Sequence, residues 1–297
     1  MKKLLLVAVA FLASATSASA QFTFSSLDYP GATLTRGRGI NDHGEIVGGY
    51  RTVPPGHAYL FKAGQFVPLA PATVLGTNQS QAFKNNDRGD VVGGYTDDNE
   101  VLHGFLLRKG VLTTIDFPAA SDTLAIGINE SGTVVGYWDI LDPNGDPVAI
   151  HGFIWNNGTF SQIDFPGAGA TYLYGINARG DIVGEWDSDI FGTVVHGFVL
   201  TKEHFITIDV PFAGSSYTQA NDISAKGSIV GTWIDADGVS HGFLAEGAKF
   251  TSIDYPGSIG TTAWGINSAG QMVGNWFDSS LNTHGWVATP ANKGKPQ

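Results

Sequence analysis

Histidine is the side chain best suited to bind a metal or move a proton near neutral pH, and the chain carries eight. Six of them occupy one place in a recurring triplet: His57-Ala58-Tyr59, His103-Gly104-Phe105, His151-Gly152-Phe153, His196-Gly197-Phe198, His241-Gly242-Phe243 and His284-Gly285-Trp286. Imidazoles distributed at one repeating position cannot converge on a single metal. The repetition argues for a structural role, each ring bonding a neighbouring aspartate or a loop carbonyl, because buried polar groups are normally paired. Two other sets repeat in the same way. Asp28, Asp116, Asp164 and Asp254 precede an aromatic residue and a proline, and Asp209 precedes Val-Pro; these are expected to cap the backbone of the loops they enter. Thr35, Ser80, Thr123, Thr171, Thr218 and Thr261 form a third set, for which local backbone bonding is expected.

Other chemistry is sparse. The chain has no cysteine, which excludes thiolate metal sites, thiol nucleophiles and disulfides. It contains no Gly-x-Ser-x-Gly, no Gly-rich phosphate loop and no His-Glu-x-x-His. Asp142, Asn144 and Asp146 fall at alternate positions in "WDILDPNGDPVAIHGF", a spacing that lets a looped chain aim several oxygens at calcium. The stretch lacks the closing glutamate of a twelve-residue calcium loop, and turn-stabilising Asx bonds are the alternative. Calcium there is the one cofactor the sequence suggests. Glu100, Glu130, Glu185, His43 and His204 break the repeat, and the sequence brings no two of them together.

The elements that hold these residues come from an internal repeat. The glycine that follows Asn three residues on, in phrases such as "GINSAGQMVG", recurs at Gly44, Gly89, Gly132, Gly180, Gly227 and Gly270, with Ser224 in place of Asn before Gly227, at intervals of 45, 43, 48, 47 and 43 residues. Each unit alternates β-branched and aromatic residues between Gly, Asn and Pro, which predicts four short strands and no helix. Asn at the first and Gly at the fourth turn position predict a hairpin between the first two strands. In the second strand a Val-Gly pair leads to Tyr50, Tyr95, Trp138, Trp186, Trp233 or Trp276, expected to fill the core, with the glycine admitting a neighbouring blade. Forty-odd residues and four strands is the period of a β-propeller blade. The sixth unit stops at "HGWVA" without a fourth strand, whereas "FTFSSLDYP" at residues 22–30 reads as that strand with nothing before it to complete. The expectation is an all-β fold, a six-bladed β-propeller over residues 21–288, closed by the N-terminal strand completing the last blade, with a flexible tail at 289–297.

The "GIN…G…VG…HGF" pattern resembles the extracellular HAF-repeat family, over nearly the whole chain after residue 20. Most triplets here carry Gly where the family name has Ala. The resemblance implies a secreted bacterial repeat protein and supplies neither catalytic residues nor a substrate.

The address agrees. Lys2 and Lys3, the apolar run Leu4 to Ala13 and Ala18-Ser19-Ala20 read as a signal peptide over residues 1–20, so a secreted location, periplasmic or extracellular, is expected. No later apolar run reaches membrane length. Without Lys2 and Lys3, 14 basic residues face 27 acidic ones, a net charge of −13. That charge repels a polyanion such as nucleic acid and favours cations, cationic surfaces or neutral glycans.

Recognition is then sought where the repeats differ. After the repeated hydroxyl come Arg36, Gln81, Leu124, Tyr172, Gln219 and Thr262, and two residues further Arg38, Phe83, Ile126, Tyr174, Asn221 and Trp264. These lie near the face onto which the variable loops open, and loops carry recognition. Arg36, Gln81, Tyr172 and Gln219 are the ligand-contact candidates. The expected function is a non-enzymatic binding module whose partner is a glycan or protein at the cell surface or in the matrix. The alternative is an extracellular polysaccharide hydrolase or lyase using acids at the channel mouth.

Overall fold

The computed structural model describes residues 21–69, 79–190, 192, 194–202, 204–212 and 214–291. The expected signal segment and residues 292–297 of the expected tail lie outside these. The described residues form 24 strands and no helix, so no helix among them can cross a membrane. After β1 (Phe22–Leu27), the first unit holds β2 (Leu34–Ile40), β3 (Ile46–Arg51), β4 (His57–Lys62) and β5 (Gln65–Pro68). The second holds β6 (Gln79–Asn85), β7 (Val91–Thr96), β8 (Leu102–Arg108) and β9 (Val111–Ile115). The third holds β10 (Asp122–Ile128), β11 (Val134–Leu141), β12 (Pro147–Asn156) and β13 (Thr159–Ile163). The fourth holds β14 (Ala170–Ile176), β15 (Ile182–Asp187), β16 (Val195–Thr201) and β17 (His204–Ile208). The fifth holds β18 (Tyr217–Ile223), β19 (Ile229–Ile234), β20 (Ser240–Glu246) and β21 (Lys249–Ile253). The sixth has β22 (Gly260–Ile266), β23 (Met272–Phe277) and β24 (Thr283–Pro290).

Within each unit successive strands pair antiparallel, and β24 takes β1 as its outer partner, from Phe22 opposite Pro290 to Leu27 opposite Gly285. Ala291 N donates to Gln21 O at 2.8 Å just beyond that pairing. The third strand of one unit meets the first strand of the next through a parallel bridge at Ile150–Ala170 and Val195–Tyr217, and the same bridge, Leu34–Thr283, joins the sixth unit to the first.

The expected hairpin is present in all six units. In the first, Gly44 N donates to Asn41 O and Asn41 N to Glu45 O, with Gly44 at φ +75°, a conformation that favours glycine. The asparagine does more than the sequence suggests. Asn41 Oδ1 accepts His43 N and Glu45 N, and its Nδ2 donates to Asn86 O in the next unit at 3.2 Å. Asn86, Asn129 and Asn177 repeat that bond onto Asn129, Asn177 and Ser224, and Asn267 donates to Asn41 O at 3.1 Å. Ser224 has no amide to give; at its junction Asp222 Oδ2 accepts Ile266 N at 2.9 Å instead.

The core is split between neighbouring units. Val47 and Ala58 pack with Val91, Tyr95 and Phe105, and Val273 packs with Ile40, Ile46 and Tyr59. The glycine of each Val-Gly pair makes room inside its own unit, not for a neighbouring blade. A Cβ on Gly48 would stand 1.8 Å from Arg36 O and 3.0 Å from the Tyr59 ring, and Gly136 and Gly274 show the same crowding. The cause is a β-bulge in the first strand of each unit, which pushes that carbonyl toward its partner strand.

The repeated histidines and aspartates meet. The register sets His103 opposite Asp116, and their Nδ1 and Oδ1 are 3.0 Å apart; His151–Asp164, His196–Asp209, His241–Asp254 and His284–Asp28 do the same at 3.1, 2.9, 2.7 and 2.9 Å. Among the described residues these aspartates bond histidines and accept no loop N–H. Capping the loop falls to the threonines, whose Oγ1 accepts the N–H of the residue after the aspartate, as in Tyr29 N to Thr35 and Phe117 N to Thr123. The aromatic residue after the aspartate stacks on the second strand of the following unit: Tyr29 on Tyr50, Phe117 on Trp138, Phe165 on Trp186, Tyr255 on Trp276. Each Asp-aromatic pair thus ties the histidine of one unit to the core aromatic of the next, and Asp28–Tyr29 makes that tie between the sixth unit and the first.

Candidate functional site

Strand alternation would send residues 36, 38 and 40 to one face, but the bulge inserts one residue between the paired positions Gly37 and Gly39. The inserted residue is Arg38 in the first unit, and Phe83, Ile126, Tyr174, Asn221 and Trp264 hold the same place in the others. These six differ in type, and all but Asn221, whose Nδ2 donates to Thr232 Oγ1 and Ala263 O, belong to one network of contacts. The Arg38 guanidinium lies 3.7 Å from the Trp264 ring centroid and 5.8 Å from that of Phe83, while Trp264 meets the edge of Tyr174 at 6.5 Å. Burial, with the neighbouring Arg36 charge, pulls the Arg38 pKa down to about 9.

The next position is Gly in four units but Lys84 in the second and Asp222 in the fifth. Their ion pair, Nζ to Oδ2 at 2.9 Å, is buried. Lys84 also donates to Arg38 O at 3.3 Å and, through a short contact, to Trp264 O. The ammonium therefore holds four units together beneath the inserted side chains.

Above that layer the four ligand candidates fall into two pairs. Arg36 and Gln81 line a cavity of about 120 Å³ with Gly49, Tyr50, Arg51 and His57. Burial first, and Arg51 second, lower the Arg36 pKa. Tyr172 and Gln219 belong to a second cluster around Glu185. Gln219 Nε2 donates to Glu185 Oε2 at 2.9 Å and to Tyr174 Oη at 3.2 Å, and Tyr174 Oη donates to Glu185 Oε1 at 2.6 Å. Tyr172 is Glu185's cross-strand neighbour and meets the Tyr137 ring edge-on at 4.9 Å. Burial pushes the Glu185 carboxyl up to about 7 against the pull of the Tyr174 hydrogen bond, and Asp187 adds to the rise. Asp187, on the same face of β15, is raised to about 6 by burial and by Asp189, and Asp139 to about 6 by burial and Asp122. The mouth is thus polar in one direction, basic beside the first unit and acidic and phenolic beside the third to fifth. Arg38 links the halves, since its charge acts on Tyr174 and Tyr137.

Glu185, Tyr137 and Gly49 occupy the variable place inside "VGxW", directly across the strand pair from Tyr172, Leu124 and Arg36. Attention to the first strand alone misses them. The signal that finds them is the one unconserved letter within an otherwise repeated phrase.

The calcium candidates form a turn. Asp142 Oδ1 accepts Asn144 N at 2.8 Å and Asp146 N at 3.0 Å, and Oδ2 accepts Asn144 Nδ2 at 3.1 Å. Asp97, Asp235 and Asp278 accept the same two backbone N–H groups in their loops. Among the described residues no group of three or more His, Asp or Glu side chains is placed to hold a metal.

No family model and no curated protein matches the chain. Solved structures do. A fungal lectin structure from Aleuria aurantia, described as a six-bladed β-propeller, aligns with a TM-score of 0.51 at 9% identity, covering 93% of this chain and 96% of that one. A variant of AofleA from Arthrobotrys oligospora aligns at 0.52 and 13% identity, covering 93% and 91%. A sialidase from Trypanosoma rangeli aligns at 0.51 and 10%, covering 86% of this chain and 54% of the enzyme.

The fold is that of a β-propeller.

At these identities the likeness speaks to the fold alone. It agrees with six similar four-stranded units, each laid against the next through its first strand.

Proposed function

We propose that this chain is a secreted, six-bladed β-propeller, closed by β1 on β24, that binds glycans through its channel mouth without transforming them. The β1–β24 pairing, the Leu34–Thr283 bridge and the Asn267–Asn41 bond support the closure. The observation that carries the binding reading is the cluster in which the half-buried Tyr137 and Tyr172 rings stand beside Glu185 and Gln219. A sugar ring has apolar C–H faces and hydroxyl edges, and aromatic faces beside convergent polar groups match both. The Aleuria aurantia lectin of the same fold has been captured with Fucα1-6GlcNAc, so the scaffold can present a sugar site. The sugar itself does not transfer at this identity. Export, and membership of the HAF-repeat group, belong to the same proposal.

A glycan array probed with the purified protein, alongside Tyr172→Ala and Gln219→Ala, tests it. Selective binding that falls at least about tenfold in both variants is expected, the size of a lost buried contact. Absence of binding, or variants that bind like the parent, overturns it. Intact mass of the exported protein tests processing, with an N-terminus at Gln21 expected.

One observation favours a second reading, a polysaccharide hydrolase or lyase. Glu185 and Asp187 share a strand face and both carry raised pKa values, the kind of perturbation that catalytic acids need. Release of new reducing or unsaturated ends from a polysaccharide, abolished by Glu185→Gln, would decide for it.

A further inference from the structure

Three arginines stand in the single hairpin β2–β3: Arg36, Arg38 and Arg51. None has a carboxylate within ion-pairing distance among the described residues. The other arginines all do: Arg88 and Arg108 pair with Asp90 at 3.3 and 3.0 Å, and Arg179 with Asp181 at 2.8 Å. In a chain with 27 acidic and 16 basic residues, partners for three cations are plentiful. Arg36 and Arg51 are moreover diagonal neighbours on one sheet face, since Leu34 pairs with Arg51 and Arg36 with Gly49. Like charges so placed repel.

The same place holds an unsatisfied donor. Gln81 Nε2 is shut off from solvent and has no partner among the described residues. Such groups are rare in folded proteins and mark strain or a binding site. Gln81, Arg36 and Arg51 line one cavity, of about 120 Å³, and no acidic residue lines it. Its room comes from Gly49, where the fourth unit has Glu185 at the equivalent place.

We propose that this cavity binds the carboxylate of an acidic glycan, a uronate unit. The inference rests on the glycan-binding reading of the mouth and names its ligand class. Guanidinium forks and an amide NH₂ match a planar carboxylate with charge-assisted hydrogen bonds. At roughly 30 Å³ per water, the cavity holds about four waters, enough for a carboxylate and adjoining ring carbons. The rest of the sugar lies over the mouth. The acidic cluster around Glu185 repels the carboxylate and takes hydroxyls, so the polarity of the mouth sets the direction of the chain. The net negative charge of the protein argues for cationic or neutral partners, but at ordinary ionic strength that field is screened beyond about 10 Å. Inside the cavity the local arginines decide.

The test is calorimetric titration of the purified protein, Arg36→Gln and Arg51→Gln with an oligogalacturonate, its methyl ester and a glutamate-rich peptide. The acid is expected to bind at least about tenfold more tightly than the ester, and each variant to abolish that difference. The melting temperature of each variant without ligand is expected to stay level or rise, because repulsion is relieved. Equal binding of acid and ester, or a preference that survives both substitutions, overturns the proposal. Arginine-dependent binding of the peptide in place of the oligogalacturonate assigns the cavity to a protein partner and also overturns it. Should neither glycan bind, the glycan array alone decides the glycan reading of the mouth. Thermal shift with millimolar glucuronate against glucose then judges the cavity separately: stabilisation by glucuronate, lost in Arg36→Gln, retains the carboxylate site, and no shift removes it.

Discussion

His284 Nδ1 lies 2.9 Å from Asp28 Oδ1, although the two residues are 256 positions apart. Asp28 belongs to the strand end that leads from the N-terminus into the first unit, and His284 to the sixth. The next residue, Tyr29, stacks on Tyr50 of the first unit with ring centroids 3.6 Å apart. Two adjacent residues therefore join the two ends of the described chain, in the manner used at the other junctions.

Magnitudes separate what this joint contributes. The Asp28 carboxylate is about half exposed, and an exposed pair is worth at most about 1 kcal/mol. Leu27, by contrast, is buried and Phe24 meets the fully buried Trp286 at 5.7 Å. Asp28→Ala is expected to lower stability by about 1 kcal/mol or less, and deletion of residues 21–29 by about 3–6 kcal/mol through lost apolar burial. Urea denaturation checks both, and an unchanged midpoint for the deletion would refute closure by β1.

The Lys84–Asp222 pair should behave as a buried bridge. Lys84→Met leaves Asp222 charged and unpaired, and a loss of about 3–5 kcal/mol is expected. The double variant Lys84→Met with Asp222→Asn should recover much of it. A double-mutant cycle by chemical denaturation measures the coupling; additive losses would show that the two residues do not act as a pair.

Glu185 makes stability depend on pH. Its folded pKa of about 7 lies above the ordinary value of 4.5, so between these values the folded state holds a proton that the unfolded state has released. Stability contributed by the protonated form is complete below about pH 4.5 and falls as pH rises to about 7, by about 3 kcal/mol. Asp187 and Asp139 act in the same direction over a narrower window ending near 6. Glu185→Gln is expected to flatten the profile between pH 4.5 and 7. Melting curves across that range check it, and a parent profile that rises with pH would contradict the assignment.

Calcium at Asp142, Asn144 and Asp146 has to compete with the turn. The Asp142 carboxylate already accepts two backbone N–H groups and the Asn144 amide. Its pKa is lowered first by the Asp146 backbone bond and then by that of Asn144. Neither EDTA nor added calcium is expected to move the melting temperature, whereas Asp142→Ala is expected to lower it. A rise with calcium that is lost in Asp142→Ala would establish the metal site.

Spacing and residue type made the six units, their four strands and the Asn–Gly hairpins legible, because these depend on contacts a few residues apart and on steric rules for single residues. They also marked Arg36, Gln81, Tyr172 and Gln219 as places where the units differ. What those residues meet depended on the bulge, which is set by the fit of one strand to its partner and leaves no local signature. The bulge turns Arg38 onto Trp264 and brings Lys84 to Asp222, residues 138 positions apart in sequence. Glu185 and Gln219 meet only because the fourth and fifth units lie side by side. The repeat determined how the protein is built; the packing of one unit on the next decided where its charges gather, since electrostatic neighbours are chosen by distance in space and not along the chain.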